Sequence, residues 1–143
     1  MESLKPKLSL LWLFATLNYL YCDVVTLMNP DLLKQFLAGR VGGLDVTQTF
    51  LLGSSILVEI PITMIVLSRV LNERANRWAN IAAGTTMTLV QLLSLVVQLP
   101  PPYYVFFSVI EVASTVGVVW FALTSVTPQN SELTSASAAA IWS

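Results

Sequence analysis

The chain has 143 residues, of which 55% are hydrophobic and only 10% charged, and its mean hydropathy is +0.74. An ordinary soluble domain carries about a quarter charged residues, so this composition is that of an integral membrane protein. Seven basic and eight acidic residues leave a net charge of −1, too little and too scattered for a nucleic-acid surface or a polybasic lipid patch. With no histidine and Cys22 as the single cysteine, intramolecular disulfides, CxxC redox chemistry, histidine catalysis and His/Cys metal sites are excluded, and no cofactor motif is present.

Crossing a hydrocarbon core of about 30 Å takes about 20 apolar helical residues. Residues 8–28, 46–70, 78–99 and 102–126 each meet that length. Backbone groups in lipid must be paired within the segment, and the runs lack the alternation of barrel strands, so the spans are predicted to be helices. The expected fold is an all-α bundle of four transmembrane helices over residues 1–127. The Ser/Ala-rich tail 128–143 reads as disordered, and from about Ser135 it is left out of the functional reading.

Span one opens with Lys5 and Lys7, as a signal peptide would, but lacks an A-x-A site and reads as uncleaved. After it, Asn29-Pro30-Asp31 supplies an N-cap, a proline at the first helical position and an acid at the positive helix end. The short helix so started, stopped by Gly39, clusters Leu32, Leu33, Phe36 and Leu37 on one side and is expected to lie at the interface or lid the bundle. Gly42-Gly43 breaks the chain, and Asp45 with Gln48 resembles a capping box opening span two. The turn over residues 71–77 is short and basic, while Pro100-Pro101-Pro102 makes the last turn stiff and uncharged. Short turns of this kind force antiparallel neighbours.

Lys5, Lys7, Arg69, Arg74 and Arg77 fall on one side of the bundle, and Lys34 and Arg40 on the other. The positive-inside rule then puts both termini in the cytoplasm, with the protein a multi-pass component of the inner (plasma) membrane. Trp12, Trp78 and Trp120, with Tyr103 and Tyr104, read as interface anchors, with burial an alternative for Trp120. Cys22 reads as a small, inert apolar residue.

Three acids interrupt the spans. At 1.5 Å per residue, Glu59 and Glu111 land roughly 13 to 20 Å deep and Asp23 about 8 Å. An ionised carboxylate there costs about 3 kcal/mol on insertion scales, so such a residue faces the bundle interior and signals function. Each span also owns a polar seam at helical spacing: Ser9, Trp12, Thr16, Tyr19 and Asp23; Gln48, Leu52, Ser55, Glu59 and Thr63; Asn80, Gly84, Thr88, Gln91 and Gln98; Ser108, Glu111, Ser114 and Thr115. Lipid cannot pair these groups, so the seams are expected to converge on the bundle axis. No basic residue lies within the membrane, which leaves the acids three states: protonated and bonded to Gln91, Thr88 or Tyr19; sharing a proton between Glu59 and Glu111; or holding a cation. Pro61 frees the carbonyl of Leu57 beside Glu59, as helix breaks that hold small cations do. "ILVEIPIT" of span two echoes "FSVIEVAS" of span four, as a duplicated hairpin would.

The segments "LNYLYCDVVTLMNP", "LVEIPITMIVLSRVLNERANRWANIAAG" and "FSVIEV" resemble an uncharacterised family of small bacterial four-helix membrane proteins, a domain of unknown function, over roughly residues 5–123. The resemblance implies a fold and a membrane location but no activity. The acid in span two ahead of a short basic turn is also similar to the DoxX-like four-helix group. Small multidrug exporters carry their essential glutamate in the first helix, where this chain has only the shallower Asp23.

Two function classes follow. In the first, the bundle binds, and moves in a proton-linked way, a small lipophilic or cationic molecule; Glu59 and Glu111 carry charge or proton, Gln91 and Thr88 orient them, Ser55 belongs to the same polar seam, and Tyr19 and Asp23 line the mouth. In the second, it is an accessory subunit of a larger membrane complex, its seams serving only as glue between helices. A small bundle of this size also suits a homodimer. No nucleophile accompanies the acids, so the chain is read as a non-enzyme, with carboxyl acid/base catalysis on a lipophile a distant third.

Overall fold

The computed structural model describes residues 4–97 and 100–124. Gln98 and the tail 128–143 lie outside the described residues. Helix α1 (Leu4–Leu27) is followed by α2 (Pro30–Leu37), a two-stranded hairpin of β1 (Arg40–Val41) and β2 (Leu44–Asp45), then α3 (Gln48–Val70), α4 (Glu73–Val97) and α5 (Pro102–Thr124). Helices α1, α3, α4 and α5 are each long and apolar enough to span a membrane. Helix α1 packs on α3 and α5, and α4 packs on α5 and more lightly on α3. The sides of the bundle therefore run α3, α1, α5, α4, which sets α3 diagonally opposite α5.

Local chemistry accounts for the ends of the elements. Asn29 caps α2, its side chain accepting from the backbone N–H of Asp31 and of Leu32. Gly42 and Gly43 do more than break the chain: with φ of 56° and 81° they form a two-residue turn in the left-handed region, which lets Arg40 pair with Asp45 and Val41 with Leu44. Asp45 is thereby held in a strand and by Arg40 at 3.5 Å. The α3 cap is consequently Thr47, whose hydroxyl accepts from Phe50 N–H at 3.1 Å, and not the capping box predicted from Asp45 and Gln48. Asn72 opens α4 by accepting from Ala75 N–H at 2.9 Å, so Arg74 and Arg77 lie within the helix and not in a loop before Trp78.

The end of the bundle that holds the start of α1, the α3–α4 turn and the end of α5 is called basal below; the opposite end carries α2 and the hairpin. At the basal end a buried polar knot joins three helices. Trp12 Nε1 of α1 donates to Asn80 Oδ1 of α4 at 2.7 Å, Ser68 of α3 donates to the same oxygen at 3.2 Å, and Asn80 Nδ2 donates to the carbonyl and side-chain oxygens of Asn76, each at 2.8 Å. Ser9 donates to the Ile65 carbonyl at 2.8 Å and accepts from Arg69 Nε at 3.1 Å. Trp12 is thus fully buried and not an interface anchor, because its indole N–H has an internal acceptor. Trp78 and Trp120 do face outward. Around the knot, Leu8, Met64, Met87 and Val118 make the apolar core.

Gly84 brings α4 and α5 together: a Cβ there would sit 2.7 Å from Val119 Cγ2 and 3.2 Å from the Thr115 carbonyl. Two substitutions test this architecture in detergent-unfolding titrations. Asn80→Leu strands the Trp12, Ser68 and Asn76 groups and is expected to cost on the order of 1–3 kcal/mol for each group left unpaired. Gly84→Ala forces the helices apart and is expected to cost about 1–3 kcal/mol.

Candidate functional site

Helix α5 sets Tyr104, Ser108, Glu111 and Thr115 at steps of four, three and four residues, one above the next on a single face. That face turns inward: Ser108, Glu111 and Thr115 are buried. Glu111 is 1% exposed, and its Oε1 has no hydrogen-bond partner. It lies about 14 Å along the helix from Pro102. Tyr19, Cys22 and Asp23 of α1 and Tyr104 of α5 lie within electrostatic reach of it. The Tyr19 hydroxyl is likewise buried and unpaired. A carboxyl oxygen and a phenol are therefore both left unsatisfied inside one layer of the bundle, a costly arrangement in a low-dielectric interior.

Above this layer, toward the α2 end, Gln91, Ser108, Tyr104 and Ser94 form a connected network, while the Tyr103 hydroxyl is buried without a partner. Gln91 Nε2 of α4 donates to Ser108 Oγ at 2.7 Å, and Ser108 donates to the Tyr104 carbonyl at 2.7 Å. The Tyr104 hydroxyl donates to Ser94 Oγ at 2.8 Å, which in turn donates to the Gln91 carbonyl at 2.7 Å. Below the layer, the Thr88 and Thr115 hydroxyls meet across α4 and α5 at 2.8 Å.

The upper network ends at a cavity of about 310 Å³. Its roof is Leu32 and Phe36 of α2 with Val41, Gly42 and Leu44 of the hairpin; its wall and floor are Thr26, Ser94, Pro100, Pro101, Tyr103 and Tyr104. The hydrophobic side of α2, legible in the sequence, thus covers the bundle as a lid. Tyr103 and Tyr104, expected as interface anchors, are half-buried in the cavity wall, where Tyr104 has Ser94 as a partner.

The predicted seams of α1, α4 and α5 turn inward over most of their described length, but that of α3 does not. Ser9 and Trp12, then Asn80, Gly84 and Gln91, then Ser108, Glu111, Ser114 and Thr115 are buried, whereas Gln48, Leu52, Ser55, Glu59 and Thr63 are all exposed. Helix α3 presents Pro61, Met64 and Ser68 to the bundle instead. The rotation follows from packing: Ser68 must reach Asn80, and the Ile65 carbonyl must reach Ser9. Glu59 consequently accepts a bond only from Thr63 of its own helix, at 3.2 Å, and Ser55 donates to Leu51 of its own helix. Glu59 and Glu111 stand on diagonally opposite helices, one exposed and one buried, and share neither a cavity nor a proton. Asp23 is exposed near the upper end of α1, and Gln91 and Thr88 bond Ser108 and Thr115 rather than either glutamate.

The model of DUF6326, a family of unknown function, matches residues 1–135. The chain belongs to DUF6326. No curated protein matches this DUF6326 chain, and neither does any solved structure. Its site is therefore read from its own residues.

Sequence reasoning passed over Ser94 and the site role of Tyr104, although both were within reach of it. Ser94 follows Gln91 by three residues and Tyr104 precedes Ser108 by four, so each extends a polar seam already recognised. The hairpin also had a signal, the Gly-Gly pair between Val41 and Leu44.

A stability measurement separates a functional carboxyl from glue. Glu111→Met fills the same space without an unpaired oxygen and is expected to raise the unfolding free energy by roughly 1–3 kcal/mol in denaturant titrations. Loss of stability instead would mean that the carboxyl holds the helices together.

Proposed function

We propose that this membrane protein binds a small, mainly apolar molecule beneath the α2 lid, and that Glu111 is the proton-exchanging group below it. The observation that carries the reading is the lidded cavity itself: apolar on nearly all sides, with the Ser94 and Tyr104 hydroxyls as its polar handle. Pockets that hold small molecules are built in this way, from an apolar lining with few convergent polar groups. The lining residues carry no carboxylate, which favours an uncharged lipophile with a hydrogen-bonding group over a cation. Ser94 and Gln91 lead from that handle to Ser108, one turn above Glu111 on the same helix face, which supports a coupling of occupancy to the carboxyl. Proton-linked movement of the molecule is the extension of this reading.

The basic residues Lys5, Lys7, Arg69, Arg74 and Arg77 at the basal end support an orientation with both termini in the cytoplasm of a bacterial inner membrane and the lid outside. In a Cys22→Ala background, Leu37→Cys, 80% exposed on the lid, is then labelled by an impermeant maleimide added to intact cells; labelling only after lysis would reverse the orientation.

Fluorine NMR of the protein in nanodiscs tests the binding. Para-trifluoromethylphenol is expected to show a saturable shifted resonance that Thr26→Trp, which fills the cavity, abolishes. Tyr104→Phe is expected to weaken the phenol about 3- to 10-fold, the worth of one neutral hydrogen bond, and to leave trifluorotoluene unchanged. Binding at neutral pH is expected to shift the pH of a weakly buffered suspension, and Glu111→Gln to remove that shift. Absence of saturable binding would favour an accessory subunit without a ligand.

A further inference from the structure

The outward face of α3 has a spacing of its own. Gln48, Leu52, Ser55, Glu59, Ile62 and Val66 follow one another at steps of four, three, four, three and four, and all are exposed. This spacing matches that of a coiled-coil seam, in which two helices meet at a repeat of 3.5 residues. The residues that α3 turns to its own bundle, Pro61, Met64 and Ser68, lie on the opposite side of the same helical wheel, and from Gln48 to Ile60 no residue of α3 is buried. The upper half of the helix is thus free of the bundle on its seam side.

Glu59 lies at the centre of that seam and at the centre of the span. Its bond to Thr63 satisfies only part of a carboxyl's capacity. No described basic residue is at its depth: Arg69 is about 15 Å further along the same helix, and Lys34 and Arg40 are on the lid. Facing lipid alone, this group either carries the insertion cost of an ionised carboxylate or, protonated, has an O–H without a partner from another helix, so a polar cover stabilises the face.

We propose that the cover is a second copy of this chain, forming a parallel twofold dimer along α3 in which Glu59 meets the partner's Glu59 and the two share one proton. Two copies inserted the same way present every residue at the same depth, so a twofold axis along the membrane normal brings each seam residue to itself. A carboxyl group suits that contact, because its protonated form donates to its ionised form and no base is needed. A single polar residue at such a position fixes register and partner number in coiled coils. The inference stands apart from the ligand cavity, which lies at the α2 end and shares no residue with the seam.

Oxidative crosslinking of the full chain in phosphatidylethanolamine/phosphatidylglycerol vesicles tests it, in a Cys22→Ala background. Leu52→Cys and Ile62→Cys on the seam are expected to give disulfide-linked dimers, and Val109→Cys, exposed on α5, is expected to give none. In single-molecule photobleaching, Glu59→Leu is expected to weaken dimerisation about 5- to 30-fold, while Glu59→Gln, whose amide both donates and accepts, retains it. Equal crosslinking at Val109→Cys, or undiminished dimers in Glu59→Leu, would overturn the proposal. So would seam crosslinks that form only to a different protein in native membranes.

Discussion

The side chain of Asn80 ties the bundle together. Its oxygen takes the Trp12 indole of α1 and the Ser68 hydroxyl of α3, and its nitrogen returns to Asn76 on α4. In lipid, helices gain nothing from burying apolar faces against one another, so association rests on close packing and on polar bonds of this kind. Because the knot sits at the basal end, with Ser9 bonded to Ile65 beside it and the apolar core around it, that end is closed. The rotational setting of α3 follows from the same bonds, since Ser68 can reach Asn80 only if the Glu59 side of the helix turns away.

A closed base leaves the upper half to do something else. There α1, α4 and α5 converge on Tyr104, Ser108, Gln91 and Glu111, while the upper turns of α3 contribute no fully buried residue. The α2 helix and the Gly-Gly hairpin fold back over this end and roof a cavity with Leu32, Phe36, Val41 and Leu44. Polar groups thus differ with depth: satisfied and structural at the base, unsatisfied in the middle layer at Glu111 and Tyr19, and at the cavity joined in one network except for the unpaired Tyr103 hydroxyl. Buried groups without partners are expensive, and a fold that retains them does so most often where they act.

The two membrane glutamates, alike in their sequence surroundings, end in opposite environments. Glu111 shares its face with Ser108 and Thr115, small hydroxyls that let α4 approach and bond, and so is drawn inward. Glu59 shares its face with Leu52 and Ile62, while Pro61 and Met64 a few residues away take the packing surface. The rule that an intramembrane acid faces protein holds for Glu111 within one chain. For Glu59 it holds across the proposed pair of chains.

The number and approximate extent of the spans, the cap at Asn29 and the apolar side of α2 were legible in the sequence because each depends on residues within a few positions of one another: run length against membrane thickness, an Asx side chain against the next amides, a 3.6-residue period. The inward seams of α1, α4 and α5 were legible for the same reason. Which way α3 faces was not, since its apolar residues surround it on all sides and its orientation is set by Ser9 and Asn80, 56 and 12 residues distant from their partners Ile65 and Ser68. The separation of Glu59 from Glu111, the burial of Trp12 and the roofed cavity are likewise products of tertiary contact. Local sequence determines where a helix starts, ends and carries its polar groups; only the assembled bundle decides which of those groups meet.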